Sequence, residues 1–93
     1  MANVIVTFKI MPDSVEIDLD SIKEKAIAIA KESGAKGNVA SEINPIAFGL
    51  KELKVLGMFG DENGLDADAI AAKIGEIEGV QSSEVVSADL AMG

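Results

Sequence analysis

The 93-residue chain contains no cysteine, histidine, arginine, tryptophan or tyrosine. The lack of cysteine excludes a disulfide scaffold and thiolate metal sites. The lack of histidine removes the commonest metal ligand and the usual base at neutral pH. Carboxylates are the only side chains left for metal binding or proton transfer near neutral pH. We therefore expect no metal and no cofactor.

Positive charge is also scarce, because eight lysines stand against sixteen acidic residues and give a formal net charge of -8. A nucleic-acid-binding surface needs a basic face that contacts phosphates, so direct nucleic-acid binding is not expected. An acidic chain is attracted instead to a basic protein surface, and this attraction depends on salt. The charge balance therefore favours a protein partner.

Long hydrophobic runs are missing too, since no stretch approaches the roughly 20 apolar residues that span a bilayer. The N-terminal stretch MANVIVTFKI has no basic residue before its apolar run, unlike a secretory signal. We expect a cytoplasmic protein that does not contact a membrane. The length predicts a single domain over residues 1–93.

Hydrophobic periodicity predicts two structural elements in the first part of the chain. NVIVTFKI alternates between apolar and mixed positions, which is typical of a strand with one buried face, and MPDS ends it. Asp18 or Asp20 can cap a helix that runs to about Ser33, where Gly34 suits its end. A weaker strand, KGNVASEI, follows this helix.

The second half repeats the alternation of strand and helix. A turn is predicted at Asn44-Pro45, and a third strand, IAFGLKELKVLGMF, follows from Ile46 to Phe59. A second helix is predicted from about residue 66 to 78, followed by a last strand, VQSSEVVSA. Short loops and right-handed crossovers then give an α+β fold of order βαββαβ. This is a ferredoxin-like two-layer sandwich, a four-stranded antiparallel sheet with two helices on one face.

The direction of Phe48 is the open question in this pattern. In an unbroken third strand, Leu53, Val55 and Phe59 share the parity of the core face, and Phe48 has the opposite parity. The ring would then stand on the sheet face away from the helices. A one-residue bulge near Gly49 would reverse this, and Phe48 would be an ordinary core residue.

No stretch carries the signature of covalent chemistry. The glycines between residues 57 and 64 lack the ending of a phosphate-binding loop, and FGDENGL does not fit the spacing of a calcium loop. Asp61 and Glu62 are paired carboxylates, but no nucleophile accompanies them. The sequence therefore does not predict an enzyme.

Three blocks identify a family resemblance: KIMPDS, PIAFGLKELKV and IEGVQSSEVV occur in this order, with an acidic loop before the second helix. In these blocks the chain resembles the archaeal elongation factor 1-beta family, nearly from end to end. Members have the ferredoxin-like fold and exchange guanine nucleotides on elongation factor 1-alpha. The resemblance implies a non-enzymatic exchange factor that promotes GDP release and GTP loading in translation elongation.

The resemblance also implies a partner-binding site. In the family's complexes the aromatic ring of the FG turn enters a pocket on elongation factor 1-alpha, so the resemblance implies that Phe48 protrudes. The residues that it assigns to partner binding lie in the FG turn and near the C-terminus: Pro45, Ile46, Ala47, Phe48, Gly49, Leu50, Lys51, Asp89 and Leu90.

The C-terminal part of this site departs from the family pattern. Relatives carry basic residues there that act at the magnesium site of the partner, but the aligned positions here are Asp89 and Leu90, and no lysine follows Lys73. Lys51 and Lys54 remain as candidates for that cation. The departure keeps an alternative open, a ferredoxin-like module for ligand sensing or dimerisation.

Overall fold

The computed structural model describes residues 3–60 and 66–91. Its elements are β1 (Asn3–Pro12), α1 (Leu19–Glu32), β2 (Lys36–Pro45), β3 (Lys51–Gly60), α2 (Ala67–Gly75) and β4 (Val80–Ala91). Within these residues the four strands form one antiparallel sheet in the order β2-β3-β1-β4. The predicted ferredoxin-like α+β fold is confirmed.

The central strands β1 and β3 direct alternate side chains into the core. Phe8 lies opposite Val55 and Ile10 lies opposite Leu53, and all four are fully buried. The rings of Phe8 and Phe59 meet edge to face, with centroids 6.4 Å apart, a geometry that aromatic rings favour. The helices complete the same core with the buried residues Leu19, Ile22, Ala26, Ala30, Ile70, Ala71 and Ile74.

Each helix begins at an aspartate whose carboxylate accepts a backbone hydrogen bond. Asp18 accepts from the N–H of Asp20 at 3.0 Å, and Asp66 accepts from the N–H of Ala69 at 3.1 Å. These bonds satisfy donors that the first helical turn would leave unpaired. Gly34 follows the end of α1 with φ of +109°, a conformation that glycine adopts without steric cost.

Helix α2 is shorter than predicted, since it ends at Gly75 and not near Glu78. The N–H groups of Glu76, Ile77 and Val80 each donate to the carbonyl three residues earlier, at 3.1 Å. These tighter turns stop the helix and lead the chain into β4. Ile77 still packs against the core, so the apolar side of this segment continues past the last helical residue.

The connection between β2 and β3 also differs from the prediction. Strand β2 continues through Pro45 and β3 begins only at Lys51, so the predicted turn at Asn44-Pro45 and the strand start at Ile46 are wrong. Pro45 pairs with Lys51 on an edge strand, where a missing N–H is tolerated. Phe48 therefore lies in the hairpin loop, and strand parity does not decide its direction.

The structure describes only some of the residues that the sequence analysis considered for metal binding or catalysis. Asp61 and Glu62 lie outside the described residues. Across the two described ranges, no set of three or more carboxylates is placed to hold a metal ion. Neither helix in those ranges is long and apolar enough to cross a membrane.

Gly57 makes room for the buried ring of Phe59. A methyl group at Gly57 would lie 2.9 Å from Cε2 and 3.2 Å from Cζ of this ring, which is only 1% exposed and cannot move aside freely. We expect Gly57→Ala to lower the free energy of unfolding by about 1–3 kcal/mol, the usual cost of overpacking. Because the chain has no tryptophan or tyrosine, urea unfolding followed by far-UV circular dichroism is the suitable measurement.

Gly75→Ala is the matched control. A methyl group there meets only Cβ of Ser83, at 3.8 Å, which is ordinary contact. Alanine is preferred to glycine inside a helix by about 0.5–1 kcal/mol, so this variant should be as stable as the wild type or more stable. If Gly57→Ala were also as stable as the wild type, the packing role of Gly57 would be wrong.

Candidate functional site

Phe48 lies at the tip of the β2–β3 hairpin and is 98% exposed. The other two phenylalanines, Phe8 and Phe59, are buried in the core. The ring protrudes, as the family resemblance implied, and it does so because the turn directs it away from both layers. A fully exposed aromatic ring gains nothing from folding, so its position calls for another explanation.

Two hydrogen bonds define the turn that carries this ring. The N–H of Leu50 donates to the carbonyl of Ala47 at 2.9 Å, and the N–H of Ile46 donates to the carbonyl of Leu50 at 2.9 Å. The central residues Phe48 and Gly49 have φ of 54° and 81°. Positive φ at both central positions is the feature of type I′ turns, whose twist matches that of the adjoining strands.

Phe48 is the only non-glycine residue with a positive φ in the described parts of the chain. This left-handed conformation costs a bulky residue about 1–2 kcal/mol, and asparagine or glycine is the usual occupant of such a turn. The ring makes up none of this cost by packing, because it is exposed. Backbone strain that no packing interaction offsets is typical of functional positions.

The residues around Phe48 extend the exposed surface. Ile46 is exposed and Leu50 is half-buried, so the turn presents apolar surface on both sides of the ring. Lys51 is exposed at the base of the hairpin. Seven predicted site residues are thus brought together in one loop and its two strand ends: Pro45, Ile46, Ala47, Phe48, Gly49, Leu50 and Lys51.

Asp89 and Leu90, the other two predicted site residues, lie in β4 near the opposite end of the sheet. Asp89 pairs with Ile5 of β1. Leu53 is the residue nearest the hairpin among those of β3 that pair with β1, and its partner is Ile10. These rows are five residues apart on β1, about 17 Å at the rise of a strand. The loop extends beyond Leu53, so the two parts of the predicted site are well separated.

The two candidate lysines differ in their surroundings. Lys54 lies 3.8 Å from the carboxylate of Glu52, which also contacts Lys9 at 3.7 Å. Lys51 has no ion pair among the described residues. Neither lysine lies in the row of the sheet that holds Asp89, because Lys54 pairs with Lys9 and Asp89 pairs with Ile5.

One exposed residue beside the hairpin was not predicted from the sequence. Val15, in the connection from β1 to α1, is 59% exposed, and its Cγ1 lies 3.6 Å from the position that a β-carbon at Gly49 would occupy. A groove of about 290 Å³ opens between this connection and the hairpin. The available signal was a single apolar residue between turn-forming and acidic residues in PDSVEID.

Comparison with known proteins places this geometry in a family. The family model described as EF-1 guanine nucleotide exchange domain matches residues 5–90. A protein of Pyrococcus abyssi named elongation factor 1-beta is 40% identical over 83 residues, which cover 89% of each chain. Its namesake in Archaeoglobus fulgidus is 36% identical over 90 residues, covering 97% of this chain and 99% of the relative. These matches do not favour the alternative of a ligand-sensing or dimerisation module.

Replacing Phe48 with asparagine should leave the fold intact and stabilise it. Phe48→Asn creates an Asn-Gly turn, which relieves the left-handed strain, and the removed ring buries almost no surface. We expect the free energy of unfolding to rise by roughly 0.5–1 kcal/mol, part of the cost of placing a bulky residue at positive φ. Urea unfolding followed by circular dichroism measures the change.

Phe59→Ala serves as the contrasting variant, because it removes a ring that is 1% exposed. The free energy of unfolding of this variant should be lower than that of the wild type by about 3–5 kcal/mol, the usual cost of replacing a buried phenylalanine with alanine. A comparable loss for Phe48→Asn would mean that Phe48 stabilises the fold, and the functional interpretation of its exposure would be wrong.

Proposed function

The chain belongs to the EF-1 guanine nucleotide exchange domain family, and from this premise we propose that it exchanges guanine nucleotides on elongation factor 1-alpha. It promotes GDP release and GTP loading during translation elongation. Residues 1–93 act as one exchange domain, and the protein works in the cytoplasm. The observation that carries the proposal is the exposed ring of Phe48, held at a strained position on the hairpin.

Nucleotide exchange of this kind requires no covalent step. An exchange factor binds the nucleotide-free form of its partner more tightly than the nucleotide-bound form. By thermodynamic linkage, the exchange factor weakens the binding of nucleotide to the partner by the same factor by which nucleotide weakens the binding of the exchange factor to the partner. The chain therefore needs binding residues that distinguish these two states, and no nucleophile, base or cofactor of its own.

Burial of the Phe48 ring can supply a useful part of this difference. The side chain is almost fully exposed in the free protein, so a pocket on the nucleotide-free partner would gain its full transfer free energy, roughly 1.5–3 kcal/mol. Each tenfold of coupling requires about 1.4 kcal/mol. Burial of this ring thus weakens nucleotide binding to the partner by a factor of roughly ten to one hundred, provided that the pocket closes when nucleotide is bound.

The rigid hairpin contributes by fixing the ring before binding. The turn hydrogen bonds at Ala47 and Ile46 and the pairing of Pro45 with Lys51 hold the loop at both sides. A preorganised contact loses less conformational entropy when it binds than a flexible one. We include all seven loop residues, from Pro45 to Lys51, in the contact with the partner.

We propose a second contact at Asp89 and Leu90, near the far end of the sheet. An acid and a leucine supply no positive charge, so this contact cannot compete with a magnesium ion by charge repulsion. Lys51 is too far from Asp89 to replace the missing cation. Exchange by this protein therefore depends on the hairpin more heavily than in relatives with basic C-terminal residues.

The decisive assay measures release of fluorescently labelled GDP from purified elongation factor 1-alpha in the presence of excess unlabelled GTP. We expect the wild-type protein to accelerate release, and Phe48→Ala to reduce this acceleration by roughly tenfold or more, from the lost burial of one ring. Unfolding curves of both proteins should coincide, because the ring is exposed in the free chain.

Val86→Ala is the control, because it removes another exposed apolar side chain, at a bulge on the edge strand β4. It should exchange nucleotide like the wild type. If the wild-type protein left the release rate unchanged, the proposed function would be wrong. If both variants lost activity equally, the loss would reflect general surface hydrophobicity and not a specific role of Phe48.

A further inference from the structure

The groove beside the hairpin lies between two segments that come from different parts of the chain. Its walls include Val15 and Ile17 from the connection between β1 and α1, and Ile43, Gly49 and Lys51 from the hairpin. The groove therefore combines apolar side chains with polar ones, because Ser14, Asp18 and Asp20 line it as well. With a volume of about 290 Å³, it is large enough for one large side chain.

Exposed apolar residues concentrate at this end of the molecule. Among the described residues, Ile43, Ile46 and Phe48 of the hairpin are exposed, and so is Val15 across the groove. Val15 lies next to the turn, as its distance from the Gly49 position shows. Gly49, the residue after Phe48, lines the groove, so the groove adjoins the part of the hairpin that carries the ring.

The charges around the groove indicate the chemistry of its occupant. Residues 13–20 carry four acids and no cation, and two of these acids, Asp18 and Asp20, line the groove together with Lys51. Lys23 lies 3.7 Å from Asp20, but the Asp20 side chain is largely exposed and can still accept a further contact. A complementary occupant therefore combines apolar surface with a positive charge.

We propose that this groove binds an apolar segment of the same GTP-binding protein that receives Phe48, with a lysine or arginine of that segment beside Asp20. Val15 is the main apolar contact, and the long methylene chain of the basic residue lies along the groove. The inference rests on the proposed function and adds a second binding element to it. The partner then contacts Phe48 at the tip of the hairpin and Val15 in the groove.

The apolar part of the proposal is tested with two matched variants, Val15→Ser and Val86→Ser. Both replace an exposed valine by serine, but Val86 lies on β4, away from the hairpin. Binding to nucleotide-free elongation factor 1-alpha is measured by titration calorimetry. We expect Val15→Ser to raise the Kd by about tenfold, from the lost burial of a valine, and Val86→Ser to leave it unchanged.

The charge is tested with a second matched pair, Asp20→Asn and Asp68→Asn. Asp20 and Asp68 are both exposed and both occupy the second position after a capping aspartate, so the two substitutions have the same effect on net charge and on the helix dipole. Only Asp20 lines the groove. We expect a larger rise in Kd for Asp20→Asn, and the difference should shrink as salt is raised.

The wild type and Phe48→Ala, measured together with these variants, distinguish the possible failures. If the wild type did not bind, the proposed function and the groove would both be wrong. If Phe48→Ala weakened binding but Val15→Ser did not, the groove proposal alone would be overturned. If Asp20→Asn and Asp68→Asn had equal effects, the occupant would not carry its cation at Asp20, and that assignment would be wrong.

Discussion

A left-handed backbone at two successive positions is the constraint on which the functional surface depends. Positive φ at Phe48 and Gly49 reverses the chain sharply enough to join β2 to β3 and directs the aromatic ring outward from the hairpin. Glycine adopts this conformation without cost, but phenylalanine does not. The protein thus keeps a residue that weakens its own turn, and a partner that buries the ring is the physical reason we offer.

The rest of the fold serves to hold this strained turn in place. Strand β3 continues from the hairpin into the centre of the core, where Leu53 and Val55 are fully buried. Any movement of the turn is therefore resisted by the packed sheet. The connection from β1 to α1 supports the other side, because Val15 lies against the turn and Asp18 fixes the start of the helix that follows. Rigidity at the base allows an exposed ring to keep a defined direction.

The sequence predicted the parts of this structure that depend on local periodicity. Alternation identified the buried side chains of Leu53, Val55 and Phe59, and residue type named Asp18 as one of two candidate caps for the first helix. The hairpin boundary was missed because Pro45 normally signals a turn, whereas here it completes an edge strand. The actual turn has phenylalanine where local preference favours asparagine, a departure that the proposed contact with a partner would explain.

The groove and the spacing of the site were beyond local prediction, because both depend on tertiary structure. Val15 comes next to Gly49 only after the sheet has formed, although 34 positions separate them in the chain (49 − 15 = 34). In the same way, Asp89 lies far from Phe48 because β4 runs away from the hairpin end of the sheet. Family resemblance named both parts of the site, but only the pairing of strands established their separation.

The most direct test of the account is fluorine NMR of the protein labelled with 4-fluorophenylalanine, which gives one signal for each of the three phenylalanines. In the free protein, one signal should show a large shift between H₂O and D₂O, and Phe48→Asn should remove it. On addition of nucleotide-free elongation factor 1-alpha, that signal alone should move and lose its solvent sensitivity. A Phe48 signal that stayed solvent-sensitive in the complex would contradict the account.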